Sequence, residues 1–174
     1  RTNIPFVVTS RETAEMIKYT ANAFLATKIS FINEIANLCE LVGADVSDVS
    51  YGIGADARIG PDFLQPGPGY GGSCLPKDTR ALRMMGKEAG YEMKVIDAVI
   101  RVNEEQNRRI IDKIRCGAGG ELAGKIISVL GLSFKPNTDD MRDAPSLTII
   151  PSLQREGAQV KAYDPISAEV ARPI

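Results

Sequence analysis

A chain of 174 residues with 44% apolar content is long enough to bury one ordinary core or two small ones. Its 21 Lys and Arg nearly cancel its 22 Asp and Glu, so no global field draws it to nucleic acid or to an anionic membrane. The count of 0 histidines removes the Cys-His dyad, the Ser-His-Asp triad and every His-based metal site, so any chemistry must run on other side chains.

No apolar run approaches the roughly 20 residues that span a bilayer, and the first residues lack the charged-then-apolar pattern of a signal peptide. Cytoplasm is the expected compartment. Cys39, Cys74 and Cys116 form no CxxC pair and no disulfide framework, which fits reduced thiols. The chain opens at Arg1 without an initiator Met and stops at Ile174 just after a strand-like segment, so it reads as a piece of a longer protein.

In chain order, residues 5–8 read as a short strand, and Thr9 with Glu12 three positions on fits a capping box. From Arg11 to Val42 there is no Gly or Pro, and apolar residues recur at helical spacing through Met16, Ile17, Phe24, Ile32, Ile35 and Leu38 until Gly43. This predicts one helix some 45 Å long, more than a small domain needs for itself. A second helix begins near Asp45 or Ser47 and ends before the glycines at 52 and 54. Between Arg58 and Ser73 lie five glycines and three prolines, a segment too long and irregular for a simple connector. Pro76 opens a helix that stops at Gly90, and another covers roughly 92–115. The run from Cys116 to Gly120 is a flexible joint and the expected domain boundary. A strand from Lys125, a polar loop over 135–144, a helix from Ser146 to Arg155 and a strand from Gln159 to Tyr163 then form a βαβ opening. Its first turn lacks GxGxxG, so this half carries no dinucleotide fingerprint. Pro151 predicts a kink or a shortened first turn.

The run Gly71-Gly72-Ser73-Cys74-Leu75-Pro76-Lys77-Asp78 sets a cysteine at the mouth of a helix, with a lysine and an aspartate in the first turn. Oriented N–H groups and positive charge favour a thiolate there, and glycines let another group come close. Asp78 opposes that shift and suits a base that activates water, or an ordinary first-turn carboxylate. Unpaired cysteines are commonly inert hydrophobes, so the motif alone leaves both readings open. Lys18 and Asn22 stand four apart on one helix face, where an ammonium and an amide can donate to a developing oxyanion or simply be solvated. Cys39 lies on an apolar helix face and reads as structural, Cys116 as without a role. Asp164 ends a strand where it could meet a ribose, though Asp-Pro more often makes a turn.

Four runs in order, Ala14–Ala26 around Lys18 and Asn22, Phe31-Ile32-Asn33-Glu34, Gly69–Asp78, and Gly131–Arg142, together resemble the UDP-glucose/GDP-mannose dehydrogenase family. The likeness covers essentially the whole chain and is nearest to bacterial members that oxidise UDP-glucose. It implies a mainly α central domain with one long helix, followed by the beginning of an α/β Rossmann-like domain. Residues 1–10 would end a missing NAD-binding domain, 11–118 form the central helical dimerisation and catalytic domain, and 119–174 start the UDP-sugar-binding domain. The implied reaction is a four-electron oxidation of UDP-glucose to UDP-glucuronate with NAD as cofactor. It runs through a thiohemiacetal and a thioester on Cys74. Lys18 and Asn22 match the family's oxyanion-stabilising pair, and Asp78 its proton-transfer carboxylate.

By matching position, the resemblance also implies that Arg58, Gly67, Gly69, Tyr70, Gly71, Phe134 and Lys135 bind substrate. Lys77 and Arg142 face the cofactor. The residue matching Arg58 reaches the partner subunit in that family, which implies a homodimer built on the long helix, with no nucleic acid or membrane partner. GDP-mannose or UDP-N-acetylmannosamine as substrate, a two-electron hydroxyacid dehydrogenase with no need of Cys74, and a non-catalytic dimerisation scaffold are the alternatives. Without the missing domain the 174 residues are expected to be inactive alone.

Overall fold

The computed structural model describes residues 6–172. Four helices come first: α1 (Arg11–Val42), α2 (Val46–Gly54), α3 (Leu75–Glu88) and α4 (Lys94–Gly117). They lead into β1 (Ile126–Leu130), α5 (Ser146–Arg155), β2 (Gln159–Tyr163) and the single turn α6 (Ala168–Ala171). The expected order of a helical body followed by a βαβ unit is what forms. Among these residues no helix is long and apolar enough to cross a membrane.

The strand expected over 5–8 is absent where it can be seen. Pro5 lies outside the described residues, and 6–8 have no regular structure, with Phe6 and Val8 91% and 85% exposed. An apolar run becomes a strand only when another strand takes up its N–H and C=O groups, and among the described residues none lies beside this one. The capping box also shifts by one residue. Ser10, not Thr9, is the N-cap, and its hydroxyl accepts from the Thr13 amide at 3.2 Å. At the other end Gly43 turns left-handed, φ 75°, and its N–H closes on the Cys39 carbonyl. With no breaker between these caps, the 32 residues of α1 run about 48 Å.

Asp45 caps α2 by accepting the Ser47 amide. That helix continues through Gly52 and Gly54 rather than stopping before them; Gly54 is buried, and a Cβ there would lie 3.1 Å from the Pro61 backbone. Pro76 sits in the first turn of α3, where its missing N–H costs nothing. The expected glycine joint starts later than Cys116. Helix α4 absorbs Gly117, and the left-handed residues are Gly119 and Gly120, φ 92° and 95°.

Small residues on α1 (Ala23, Ala26, Ser30) let α3 and α4 pack close. Ala23, Leu82, Ile96 and Ile100 form one apolar cluster, and Ala26, Tyr70 and Val99 another. The last turns of α4 belong to a different cluster. Ile111 joins Leu122, Ile149, Leu153 and Ala158, so one continuous helix supplies both bodies. Strands β1 and β2 pair in parallel, Ile126 opposite Gln159 through Leu130 opposite Tyr163. Helix α5 covers the face that carries Ile127 and Val160, while Ile126, Leu130 and Tyr163 stay exposed. Pro151 lies inside α5, which runs on through it.

The two bodies also meet at a tight seam. The Gly72 N–H donates to the Arg142 carbonyl at 2.8 Å. A Cβ on Gly71 would lie 2.2 Å from the Asp143 carbonyl oxygen, and one on Gly72 2.6 Å from the Phe134 ring. Backbone cannot yield as a flexible side chain does, so Gly71→Ala is expected to destabilise by about 1–3 kcal/mol through overpacking. Gly67→Ala, whose Cβ would meet nothing within 4 Å, is expected to change stability by less than about 0.5 kcal/mol. Urea midpoints of the two variants measure the contrast.

Candidate active site at the start of the third helix

Cys74 is the N-cap of α3, exposed, and makes no side-chain cap; its sulfur lies 3.6 Å from the Ser73 hydroxyl. One turn further on, Asp78 is 1% exposed and gathers the polar groups of two helices. Lys18 Nζ reaches Asp78 Oδ2 at 3.1 Å, Asn22 Nδ2 donates to the same oxygen at 2.5 Å, and Lys77 Nζ bonds Oδ1. Lys77 also stands 5.9 Å over the Tyr19 ring. Helical spacing explains the convergence, since Lys18 and Asn22 share the α1 face turned to α3. Burial pushes the Asp78 carboxyl up, but donors from Lys77, Asn22 and Lys18 outweigh it and hold the group below the ordinary carboxylate range.

The cations of the site share one field. Lys77 is raised first by its bond to Asp78, with Tyr19 and Cys74 adding to the effect. Arg142 is raised first by Asp140, and Cys74 contributes there too. Arg142 forks onto Asp140 at 2.9 and 2.7 Å and holds that carboxyl down at about 2. Its backbone carbonyl meets Gly72, so the Arg142 loop and the Cys74 loop are one surface. Phe134 lies against Gly72, with Lys135 Nζ 5.2 Å over its ring.

The glycine loop is less open than its composition suggests. Gly71 and Gly72 are occupied by the neighbouring body, and Tyr70 packs its ring among Ala26, Val99 and Leu75, where burial foremost raises its hydroxyl. Gly67 and Gly69 face helix amides. Arg58 stands apart, folded back on Asp56 through bonds of 3.0 and 2.6 Å in the turn after α2. Cys39 is buried and Cys116 exposed. No group of three or more His, Cys, Asp or Glu among the described residues is arranged to hold a metal.

Other residues take up their roles only in the fold. Asp164 is buried and accepts amides from Leu132, Ile166 and Ser167, each at 2.8 Å, and these bonds drive its pKa far down. It makes the turn, and the strand-ending Asp-Pro was its signal. Arg80 meets Asp143 at 3.5 Å across the seam. Asn33, Asn103 and Gln106 bind the glycine loop, and only Asn33 fell within a noticed motif.

An exposed thiol at a helix mouth, an ammonium–amide–carboxylate cluster beside it and a βαβ unit clasped against both define a chain of the nucleotide-sugar dehydrogenase type. Its central-domain model matches residues 12–105 and its UDP-binding-domain model residues 128–173; the chain belongs to the UDP-glucose/GDP-mannose dehydrogenase family. It is 61% identical to UDP-glucose 6-dehydrogenase TuaD of Bacillus subtilis (strain 168), over 98% of this chain and 37% of that protein. A solved UDP-glucose dehydrogenase from the hyperthermophilic archaeon Pyrobaculum islandicum superposes with a TM-score of 0.95 at 41% identity, over 99% of this chain and 40% of that one. A UDP-D-ManNAc dehydrogenase from Pyrococcus horikoshii gives 0.79 at 31% identity, over 90% and 37%. The chain thus spans about two fifths of the length of these relatives.

Because the folded Asp78 titrates below its unfolded value of 3.8, its contribution is complete above that value and fades as pH falls through the folded pKa. Asp78→Asn should therefore cost about 2 kcal/mol at neutral pH, the scale of a hydrogen bond to a charged group. The gap to the parent should narrow steadily below about pH 4. Thermal unfolding of both proteins across that range is the measurement.

Proposed function

We propose that this chain carries the catalytic thiol of an NAD-dependent enzyme that oxidises UDP-glucose to UDP-glucuronate, working within a longer protein of the length its relatives have. The observation that carries the reading is the exposed Cys74 at the start of α3, one turn from the Lys18–Asn22–Asp78 cluster. NAD, when bound, supplies the acceptor for the two electrons that leave as hydride in each of two oxidations. Lys77 and Arg142, both cationic and in the field of Cys74, suit its anionic diphosphate and are the residues of this chain that would hold it.

The residues then divide the work. The C6 alcohol loses a hydride, its hydroxyl proton passing to water, and becomes an aldehyde, which has no good hydride to give until a nucleophile adds. The Cys74 thiolate forms a C–S bond to C6, and the carbonyl electron pair moves onto oxygen. Lys18 has protons beyond the one shared with Asp78, and Asn22 a second amide N–H, so both can stabilise that oxyanion. Loss of the second hydride leaves a thioester. Asp78, kept ionised by its donors, accepts a proton from the attacking water, the C–S bond breaks and the thiolate is restored.

Phe134 and Lys135, next to the glycine loop, suit the sugar nucleotide, with Gly67, Gly69, Tyr70 and Gly71 forming the edge beside them. The higher similarity to UDP-glucose dehydrogenases favours that sugar over UDP-N-acetylmannosamine or GDP-mannose. The domain limits follow, 11–118 central and 119–174 the start of a sugar-nucleotide domain. The uncovered Ile126, Leu130 and Tyr163 support a further layer packed on the open face of β1 and β2, since parallel sheets are covered on both faces. Cytoplasm is the compartment consistent with reduced thiols.

A homodimer through α1 completes the proposal. Ile17, Phe24, Phe31 and Leu38 recur every seven residues and are 52%, 64%, 50% and 53% exposed, a row of large apolar side chains on the long helix. Arg58, exposed on the turn after α2, would extend from that interface to the partner's site.

In the intact enzyme, two NADH should form per UDP-glucose consumed, and Cys74→Ala should reduce the yield to one or fewer. A full yield of two from that variant would remove Cys74 from the chemistry and with it this function. Sedimentation equilibrium checks the assembly: the parent should be dimeric and Phe31→Glu largely monomeric at micromolar concentration, whereas a monomeric parent contradicts the α1 interface.

A further inference from the structure

Over residues 67–70 the glycine loop forms no backbone–backbone hydrogen bond, and three carboxamide side chains supply what is missing. Asn33 Oδ1 on α1 accepts the Gly67 amide at 2.7 Å, and Gln106 Nε2 on α4 donates to the Gly67 carbonyl at 2.9 Å. Three residues on, Asn103 does both jobs alone. Its Oδ1 accepts the Tyr70 amide at 2.7 Å and its Nδ2 donates to the Tyr70 carbonyl at 3.1 Å. The clamp is itself braced, as Asn37 donates to Gln106 Oε1 at 2.9 Å. Asn33 is 0% and Gln106 4% exposed, so water offers these amides no substitute partner. Gly69 is fitted to the same clamp: at φ 118° any Cβ there would lie 2.8 Å from Asn103 Oδ1.

We infer that Asn103, Asn33 and Gln106 are positioning residues that hold the backbone of 67–70 in its substrate-binding form, as a strand ladder would hold a strand. The inference rests on the reading of this loop as the edge that meets the sugar nucleotide. Carboxamides suit the task because one group can both donate and accept, which the paired N–H and C=O of Gly67 and of Tyr70 require. They carry no charge, so the clamp adds no field beside the thiolate and does not titrate. None of the three touches Cys74, Lys18, Asn22 or Asp78, which separates holding the loop from the chemistry.

Asn103→Asp in the intact enzyme is the discriminating variant. An ionised aspartate still accepts from the Tyr70 amide but opposes the Tyr70 carbonyl. KM for UDP-glucose should rise roughly tenfold, as expected for a lost hydrogen bond. The value of kcat and the yield of two NADH per sugar should hold. Gln106→Leu, which keeps the volume and removes the donor, should raise KM in the same way and serves if Asn103→Asp does not fold. A KM equal to the parent's in either folded variant, or kcat falling in step with KM rising, overturns the inference. Failure of the underlying function shows separately, as a parent enzyme without the two-NADH yield.

Discussion

A carboxylate shut away from water must be surrounded by donors, and that requirement at Asp78 dictates how the first half of this protein comes together. The donors arrive from α1, as Lys18 and Asn22, and from α3 itself, as Lys77. Helices carrying them have to lie face to face, and the small residues Ala23 and Ala26 just beyond make that approach possible. Cys74 is then fixed by its own helix. Its position one turn before Asp78 leaves the sulfur at the surface while the carboxylate is covered, so the thiol and the nearby charge are separated by burial rather than by distance.

The second constraint is the seam. Two glycines lie under the Phe134 ring and the Asp143 backbone, and an amide-to-carbonyl bond crosses from Gly72 to Arg142. Such contacts depend on shape and not on charge; the Arg80–Asp143 pair beside them and the Arg115–Glu156 pair near the end of α4 add an electrostatic component. The residues proposed to bind the sugar nucleotide and those proposed to do chemistry on it are thereby set against one another within one chain.

Helix limits marked by local chemistry were legible in the sequence: Gly43 closing α1, Pro76 opening α3, and the helix and second strand of the βαβ unit all fall where spacing and breakers put them. Readings failed where a distant partner decides. The apolar run at 6–8 finds no strand to pair with, and Gly54 and Gly117 stay helical because packing and an uninterrupted hydrogen-bond ladder outweigh their propensity. The Lys18–Asn22 pair was visible as a spacing, but its meeting with Asp78, some 60 positions away, was not. Asn103 and Gln106 gave no signal at all, since a carboxamide on a helix is ordinary until a loop without backbone partners folds onto it. The glycines misled in one respect: composition suggested room for a ligand at 71 and 72, and the space is filled by protein.

Helix α4 spans 24 residues, about 36 Å, and its two ends lie in different apolar clusters, Ile96 and Ile100 in one and Ile111 in the other. A rod anchored at both ends behaves as a lever. Any tilt imposed on the strand-bearing end is carried to the middle of the rod, where Asn103 and Gln106 grip the glycine loop, without any joint having to bend between them.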